Sequence, residues 1–242
     1  MKAFLETLGR GLVELCYPRY CQFCDSRDCA DETPFICKAC LAKVPFTTEP
    51  MCVLCGLPLD GPSGEQADCP HCRETEWSFE RAVSAVRLRG VVKEVVHRFK
   101  YNKQIYWRVL IGEWICDAAE RGGLSGIDAI VPVPLFGLRE REREYNQAAL
   151  LAEDFGRWSG WPVEGGSLRR IRDTSTQTRL DREERVANQA GAYQIRRPDR
   201  IEGRSICLID DVWTTGATTD ECAKTLLSAG AKNVFVLTAA RS

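Results

Sequence analysis

Two adjacent carboxylates, Asp210 and Asp211, follow a run of four apolar residues at 206–209. Such a run is typical of a strand buried on both faces of a parallel sheet. A loop of small and hydroxyl-bearing residues comes next, followed by a helical pattern: Thr214, Thr215, Gly216, Ala217 and Thr218, then Thr219 to Ala229. Backbone N–H groups at a helix start bind anions, and glycine lets a phosphate approach closely. Paired carboxylates can bind the vicinal hydroxyls of a sugar, so the stretch predicts a ribose-phosphate site. An ordinary buried strand followed by a capped helix would not explain the adjacent acids and the hydroxyl-rich loop.

Eight cysteines form four Cys-x-x-Cys pairs in the first third of the chain: Cys21/Cys24, Cys37/Cys40, Cys52/Cys55 and Cys69/Cys72. Each pair can present two sulfurs to one tetrahedral zinc ion. The pattern predicts two structural Zn²⁺ sites of four thiolates each, in preference to disulfides, which a cytoplasmic chain would not keep oxidised. The spacing leaves the pairing open: neighbouring pairs could share a zinc, or the first could join the third and the second the fourth.

Charge is distributed unevenly along the 242 residues, although the net charge is only −1. Residues 21–76 carry 4 Lys and Arg against 10 Asp and Glu, whereas residues 77–242 carry 26 against 22. Ten of the 13 cysteines also fall between Cys16 and Cys72. A polyanionic partner is therefore expected to meet the C-terminal part rather than the cysteine-rich part.

Three segments are predicted: an amphipathic helix within 1–20, a double zinc ribbon at 21–76 and an α/β domain at 77–242. Acidic and basic residues interrupt the first segment, so it does not fit a secretion signal. No apolar run approaches the ~20 residues that a membrane span needs. We therefore expect a cytoplasmic protein.

The α/β domain has alternating strand and helix patterns before the acidic pair. A strand is predicted at 82–87, followed by a helix at 91–100 whose apolar residues share one face: Val92, Val95, Val96 and Phe99. A basic turn at 100–103 leads into a long helix at 105–120. A strand at 128–134, a helix ending near residue 157 and a last strand at 233–238 complete the pattern.

Two arginine-rich segments lie between these elements. Residues 138–147 are predicted to be a loop, and residues 169–200 hold nine arginines against five acids. The composition of the second segment favours a mobile basic flap that closes over a ligand. A solvated surface loop of mixed charge has the same composition, and both interpretations stay open.

The stretch from Ile206 to Glu221 resembles the phosphoribosyl-pyrophosphate (PRPP) motif of type I phosphoribosyltransferases. The Lys100-Tyr101 turn is similar to their pyrophosphate-contacting segment. Over nearly the whole chain, the double zinc ribbon, the Pro-Val-Pro strand and the arginine-rich loop ending in Asn146-Gln147 resemble the ComF family. A later segment also matches that family: Arg172, Thr174, Gln177, Leu180, Arg185, Asn188, Gly191, Ala192 and Tyr193.

The resemblance implies a Rossmann-like parallel sheet joined to the zinc ribbons, with a PRPP site that uses Mg²⁺. Asp210 and Asp211 would hold the ribose, the 214–218 loop would cradle the 5′-phosphate, and Lys100 would join the two acids as a candidate catalytic residue. Other residues would contact pyrophosphate or DNA: Arg139, Arg143, Gln177, Arg179 and Arg185. The chain has Glu144-Tyr145 where the family usually has Gly-Phe, and the carboxylate would repel the ligand unless Arg141 or Arg143 neutralises it.

Two classes of function follow from the resemblance. One is phosphoribosyl transfer from PRPP in DNA uptake and natural competence. The other is a non-catalytic protein that handles single-stranded DNA or senses a ligand on the same scaffold. Aromatic residues could stack bases in the second case, although a core position is the stronger expectation for them: Tyr101, Tyr106 and Trp107. The sequence leaves the acceptor nucleophile, turnover and oligomeric state open.

Overall fold

The computed structural model describes residues 19–59, 69–173 and 188–242. The chain forms two compact units, Met1–Val44 and Pro45–Ser242. Within the described ranges, no helix is long and apolar enough to cross a membrane. The predicted helix at 3–15 lies outside the described residues. The domain limits 1–20, 21–76 and 77–242 stay predictions.

The described helices and strands are as follows, in chain order: α1 (Lys38–Leu41), α2 (Pro70–Arg73), β1 (Arg81–Arg87), α3 (Val91–Tyr101), α4 (Trp107–Arg121), β2 (Ala129–Pro132), α5 (Gly137–Arg143), α6 (Gln147–Ser159), β3 (Leu168–Arg170), β4 (Tyr193–Ile195), β5 (Ser205–Trp213), α7 (Ala217–Ser228) and β6 (Asn233–Arg241). A short 3-10 helix spans Pro198–Arg200.

The larger unit is built on a four-stranded parallel sheet with the order β1-β6-β5-β2. The two central strands, β5 and β6, are buried along most of their length, which explains their continuous apolar runs. Helices α4, α6 and α7 contact these strands. The predicted α/β class with a parallel sheet is confirmed, and it places the end of β5 at an edge where open sheets of this kind bind ligands.

Helix α3 confirms the prediction from apolar spacing, because its buried residues are the predicted four: Val92, Val95, Val96 and Phe99. Helix α6 begins at Gln147, where the predicted arginine-rich loop was expected to end and a helix to follow. The Asn146 side chain accepts a hydrogen bond from Ala148 N (3.0 Å) and donates one to Val133 O (3.0 Å). One residue therefore caps α6 and ties it to the chain just after β2.

Three predicted elements differ from the structure. The arginine-rich segment at 138–147 is mostly helix α5, and Glu144 ends that helix with a left-handed φ of 69°. The segment 169–200 is not irregular at its ends, because β3 and β4 pair there as an antiparallel ribbon. Strand β6 continues to Arg241 rather than ending at residue 238, since its pairing with β1 and β5 continues.

The segment 45–59 covers the outer edge of β1. Thr47 N donates to Ala85 O (3.0 Å), and Ala82 N donates to Leu54 O (2.7 Å). Backbone groups that an edge strand would leave open are therefore paired, which blocks pairing with another chain. The second half of the cysteine-rich sequence thus contributes to the sheet.

Candidate functional site

The acidic pair lies inside the carboxyl end of β5, not after it, because β5 continues to Trp213. Asp210 is paired in register with Thr238 of β6. Asp211 is 8% exposed, and its Oδ1 lies 2.9 Å from Lys100 Nζ at the end of α3. The Asp210 carboxylate accepts a hydrogen bond from Asp211 N (2.8 Å). Lys100 and the acidic pair, more than 100 positions apart in sequence, therefore meet at one edge of the sheet.

The surroundings of Asp210 and Lys100 shift the pKa values of both groups. Burial, followed by the charge of Asp211, raises the pKa of Asp210 to about 7. Burial alone would lower the pKa of Lys100, but the adjacent carboxylates of Asp211 and Asp210 outweigh it and raise that pKa above its ordinary value. Lys100 is therefore charged at neutral pH, whereas Asp210 gains and loses its proton near pH 7.

The loop from Thr214 to Thr218, called the threonine loop below, leads from β5 into α7. Gly216 is the N-cap residue with a left-handed φ of 82°, and no side chain caps α7 there. Thr215 Oγ1 lies 3.5 Å from Ala217 N, and Thr219 Oγ1 donates to Gly216 O (3.0 Å). The first turn of a 12-residue helix such as α7 presents backbone N–H groups and the positive end of the helix dipole, and both favour binding of an anion.

Asp220 fixes the first turn of α7, a role that the sequence analysis missed. Its Oδ1 accepts a hydrogen bond from Ser78 N (2.8 Å), and its Oδ2 lies 2.8 Å from Lys224 Nζ. Asp220 is 7% exposed, so this contact is shielded from water. No local pattern could reveal it, because Ser78 and Asp220 are 142 positions apart.

The arginines of α5 have different neighbours. The Arg143 guanidinium lies over the Tyr101 ring at 4.9 Å and donates from Nη1 to Gln147 Oε1 (3.0 Å). Gln147 Nε2 in turn donates to Lys100 O (3.4 Å), so Arg143 is linked to the segment that holds the acidic pair. Arg139 lies 3.7 Å from an Asp173 carboxylate. The other predicted contacts lie outside the described residues: Gln177, Arg179 and Arg185.

The carboxylate of Glu144 is paired with Lys103, whereas the sequence analysis had considered Arg141 and Arg143 as the residues that could neutralise it. The aromatic residues considered for base stacking or for the core differ in their exposure. Trp107 is 1% exposed and belongs to the core, whereas Tyr101 is 59% exposed beside Lys100.

The β3–β4 ribbon is joined to α7 near the threonine loop. Gly191 N donates to Glu221 Oε1 (2.6 Å), and Arg170 lies over the Tyr193 ring at 5.6 Å. Burial raises the pKa of Tyr193 far above its usual value, although a hydrogen bond with the Thr218 side chain acts in the opposite direction. The base of the predicted flap is therefore held against the predicted phosphate-binding segment.

The eight cysteines form two groups of neighbouring pairs, which settles the pairing that the spacing left open. The first cysteine group is Cys21, Cys24, Cys37 and Cys40; the second is Cys52, Cys55, Cys69 and Cys72. Within each group, all sulfurs lie within 4.8 Å of one another. Neighbouring sulfurs are 3.5 to 3.7 Å apart, which matches the ~3.8 Å edge of a tetrahedron with Zn–S bonds of about 2.3 Å. Both groups fit a structural Zn²⁺.

Arg241 at the end of β6 contacts the second cysteine group. It is 3% exposed, and its Nη1 donates to Cys55 O. Its Nη2 lies 3.8 Å from Cys55 Sγ and 3.3 Å from His71 Nδ1. The sequence analysis missed this residue, whose contacts are with residues 170 to 186 positions earlier.

Residues 12–74 match a family model described as a double zinc ribbon domain. The chain is 32% identical over 206 residues to the DNA utilization protein YhgH of Salmonella typhi, covering 83% of this chain and 88% of that protein. It is 30% identical to the competence protein ComFC of Bacillus subtilis, covering 92% and 95%. It is 29% identical to the competence protein F of Haemophilus influenzae, covering 86% of this chain and 90% of that protein.

The chain is also similar to parts of solved phosphoribosyltransferases and related enzymes, at TM-scores below 0.5. Glutamine PRPP amidotransferase from B. subtilis is 19% identical with a TM-score of 0.38, over 55% of this chain and 26% of that one. Adenine phosphoribosyltransferase from Thermoanaerobacter pseudethanolicus is 16% identical with a TM-score of 0.35, over 59% and 84%. The chain thus spans about a quarter of the first enzyme's length. The predicted double zinc ribbon is confirmed by the family match, and the predicted α/β unit by its parallel sheet.

Proposed function

The chain belongs to the ComF family, and from that premise we propose that it binds PRPP together with Mg²⁺ and acts in DNA uptake. Its relatives carry the names of competence and DNA utilization proteins. The proposed site is the carboxyl end of β5 with the threonine loop. The ribose would lie against the acidic pair and the 5′-phosphate against the start of α7.

The observation that carries this proposal is the ion pair between Lys100 and Asp211 beside the threonine loop. A partly buried positive charge could contact a pyrophosphate, two carboxylates could bind the ribose hydroxyls, and a helix start could bind the 5′-phosphate. Lys100 is positioned by Asp211 and held in its charged form, so it can contact a pyrophosphate oxygen. The uncapped start of α7 supplies backbone donors for the second phosphate.

Carboxylate oxygens are suitable Mg²⁺ ligands, and sites for this ion commonly combine one or two carboxylates with substrate phosphates. Asp210 fits this requirement better than Asp211, because Lys100 already pairs with Asp211. When bound, the ion would neutralise charge on the pyrophosphate. Asp210 would need to lose its proton, which its pKa of about 7 permits at neutral pH.

The corresponding reaction is displacement of pyrophosphate from C1 of PRPP. The bond between C1 and the pyrophosphate oxygen breaks, and a bond from C1 to the incoming nucleophile forms. The carboxylates would orient the ribose and stabilise positive charge that develops on it, while Lys100 would stabilise the leaving group. Catalysis of this kind depends on positioning, so it does not require a general base among these residues.

Calorimetry with PRPP and Mg²⁺ tests the proposal. The combined substitution Asp210→Asn and Asp211→Asn should abolish Mg²⁺-dependent binding and leave the circular dichroism spectrum unchanged. Asp117→Asn with Asp199→Asn is the matched control, because it removes two acids from elsewhere on the larger unit. Unchanged affinity in the first double variant, or no binding by the wild-type chain, would contradict the assignment. Pyrophosphate release with a panel of nucleobases and amines would then establish turnover.

A second candidate function, binding of single-stranded DNA, is favoured by the exposed Tyr101 ring beside Arg143 and Lys100. Aromatic rings next to cations are typical of surfaces on which unpaired bases stack. Fluorescence anisotropy across a salt series should show weaker binding in Arg143→Ala and in the combined alanine variant of Arg179, Arg182 and Arg185. Arg89→Ala is the control, because Arg89 is an exposed arginine just beyond β1. Full affinity in both test variants would exclude this surface.

A further inference from the structure

Two tryptophan rings lie directly against the threonine loop. A Cβ atom placed on Gly216 would be 2.5 Å from the Trp213 ring and 2.7 Å from the Trp77 ring. The two rings contact each other edge to face, with centroids 5.4 Å apart, and Phe79 stacks on Trp77 at 5.3 Å. The backbone of the loop therefore follows the surface of this aromatic cluster, and only glycine fits there.

The same aromatic cluster is connected to the second cysteine group at two places. Trp77 follows Cys72 by five residues in the sequence. At the other end, the Arg241 guanidinium lies over the Trp213 ring at 5.2 Å while it donates to Cys55 O. Trp213 and Arg241 are also paired in register between β5 and β6. The cysteine group and the threonine loop thus both contact one packed cluster.

A further contact leads from this segment to α7. Ser78, next to Trp77, donates its backbone N–H to the buried Asp220 carboxylate (2.8 Å). Asp220 N donates to Gly216 O (2.9 Å), which closes the first turn of the helix. The chain that leaves the second cysteine group therefore contacts both the loop and the helix that follows it.

The metal would hold this arrangement for two physical reasons. Four thiolates on one Zn²⁺ carry a formal charge of −2, so the single positive charge of the buried Arg241 guanidinium has an anionic neighbour. Metal binding also supplies the folding free energy of a small cysteine-rich segment, which has little apolar core of its own. Without the metal, Arg241 would lose its anionic neighbour and Trp77 would lose a fixed attachment.

We infer that the second cysteine group positions the threonine loop through Trp77, Trp213 and Arg241, so that ligand binding at the acidic pair depends on this metal site and not on the first. Only the part of this inference that concerns ligand binding rests on the proposed function. Its structural part concerns the loop and α7 and is measurable without a ligand.

The matched substitutions are Cys69→Ser and Cys37→Ser, because each residue is the buried N-cap of a four-residue helix in its group. Each variant should lose one of two zinc ions by elemental analysis. Hydrogen exchange at the amides of residues 220–223 in α7 should become at least tenfold faster in Cys69→Ser and stay within twofold of wild type in Cys37→Ser. Equal exchange in the two variants would overturn the inference.

Arg241→Met keeps all eight cysteines and tests the link if Cys69→Ser fails to fold. We expect tenfold faster exchange at residues 220–223 and faster transfer of one zinc, but not the other, to a chelator. Arg89→Met is the control, because Arg89 is exposed just beyond β1. Wild-type exchange and chelation rates in Arg241→Met would show that the guanidinium does not position the loop.

PRPP affinity separates this inference from the proposed function. We expect at least tenfold weaker binding in Cys69→Ser and in Arg241→Met, and wild-type affinity in Cys37→Ser. If the wild-type chain does not bind PRPP, the proposed function fails, while the exchange measurements still decide whether the second cysteine group positions the loop. Faster exchange with unchanged PRPP affinity would contradict the ligand part of the inference.

Discussion

The first and second cysteine groups share their motif and nearly their spacing, but their supporting contacts differ. In the first group, Cys21 N donates to Ser26 O (2.7 Å) and Gln22 N donates to Phe35 O (3.0 Å), both over short sequence distances. In the second group, Cys55 is contacted by Arg241, which lies 186 positions later. The same metal-binding motif is therefore supported locally in one place and by the end of a central strand in the other.

This difference shows that a zinc site and the fold around it are separate properties of a sequence. Four thiolates at suitable distances satisfy the metal in both groups. In the second group, the described contacts continue into the sheet through Arg241 and reach the threonine loop through Trp213. We therefore expect loss of the two metals to have unequal effects, although the ligand chemistry is the same.

The largest expected effect is on stability. Cys55 and Cys21 are both fully buried, so serine at each position removes one ligand from an equivalent environment. Cys55→Ser should lower the free energy of unfolding of the Pro45–Ser242 unit by about 4 kcal/mol or more, or roughly 10 °C in Tm. Cys21→Ser should leave that transition within about 1 °C. Calorimetric scans of both variants measure these Tm shifts. Equal shifts would show that the two cysteine groups support the larger unit to the same extent.

A smaller effect is expected where the aromatic cluster meets the loop. Gly216→Ala places a methyl group against two tryptophan rings, whereas Gly191→Ala meets nothing within 4 Å. Both glycines have a left-handed φ, so the backbone strain is matched. Denaturant unfolding should show a loss about 1–3 kcal/mol greater for Gly216→Ala, because only this site is overpacked. Equal losses would mean that the rings can move away from the loop.

The smallest effect is a difference in pH dependence. The pKa of Asp210 is raised to about 7 in the folded chain, so its contribution to stability is full below pH ~4 and is lost as the pH rises through 7. Zinc binding by thiolates has the opposite sign and strengthens as the pH rises. Asp210→Asn removes the first contribution and leaves the second.

We therefore expect Asp210→Asn to gain stability over wild type as the pH is raised from 6 to 8, by up to about 1 kcal/mol. Denaturant unfolding at the two pH values, with zinc present, measures the gain. Asp199→Asn, an exposed acid elsewhere on the larger unit, serves as the control. A wild-type-to-variant difference that is the same at both pH values would show that Asp210 is ionised in the same way in the folded and unfolded chain.

The parts of the fold that were predictable from the sequence are those set by neighbouring residues. Helix α3 is an example, because Val92, Val95, Val96 and Phe99 repeat at the spacing of one helical face and are all buried. The order of hydroxyl-bearing loop and helix after β5 is a second example. In both cases the periodicity of a single segment determines its structure.

Strand limits depend on partners, and here the sequence was less informative. The apolar run ends at Ile209, but β5 continues because its register with β6 extends to Trp213 and Arg241. The acidic pair is therefore part of the strand. Its position depends on the pairing with β6, which the local sequence does not reveal. Helix α5 was predicted to be a loop because its arginines were assigned to a ligand, although its Leu, Arg and Glu residues all favour helix.

The pairing of the cysteines and the role of Arg241 could not be predicted at all. Each Cys-x-x-Cys pair offers the same two sulfurs, so only the folded chain selects which pairs share a metal. Arg241 carries no motif, and its contacts with Cys55 and His71 cross more than two thirds of the chain. The acidic pair, in contrast, could be predicted as a candidate site because its two carboxylates are adjacent in the sequence.

The separation of 186 residues between Cys55 and Arg241 also sets an order in time. A ribosome adds about 5–20 residues per second, so Arg241 is added on the order of ten to forty seconds after Cys55. Once Cys72 has been added, the second cysteine group has its sulfurs but neither its guanidinium nor β6, whereas the first group has all the partners described for it. The nascent chain must therefore keep four reactive thiols in place, or acquire zinc early, until the last strand arrives.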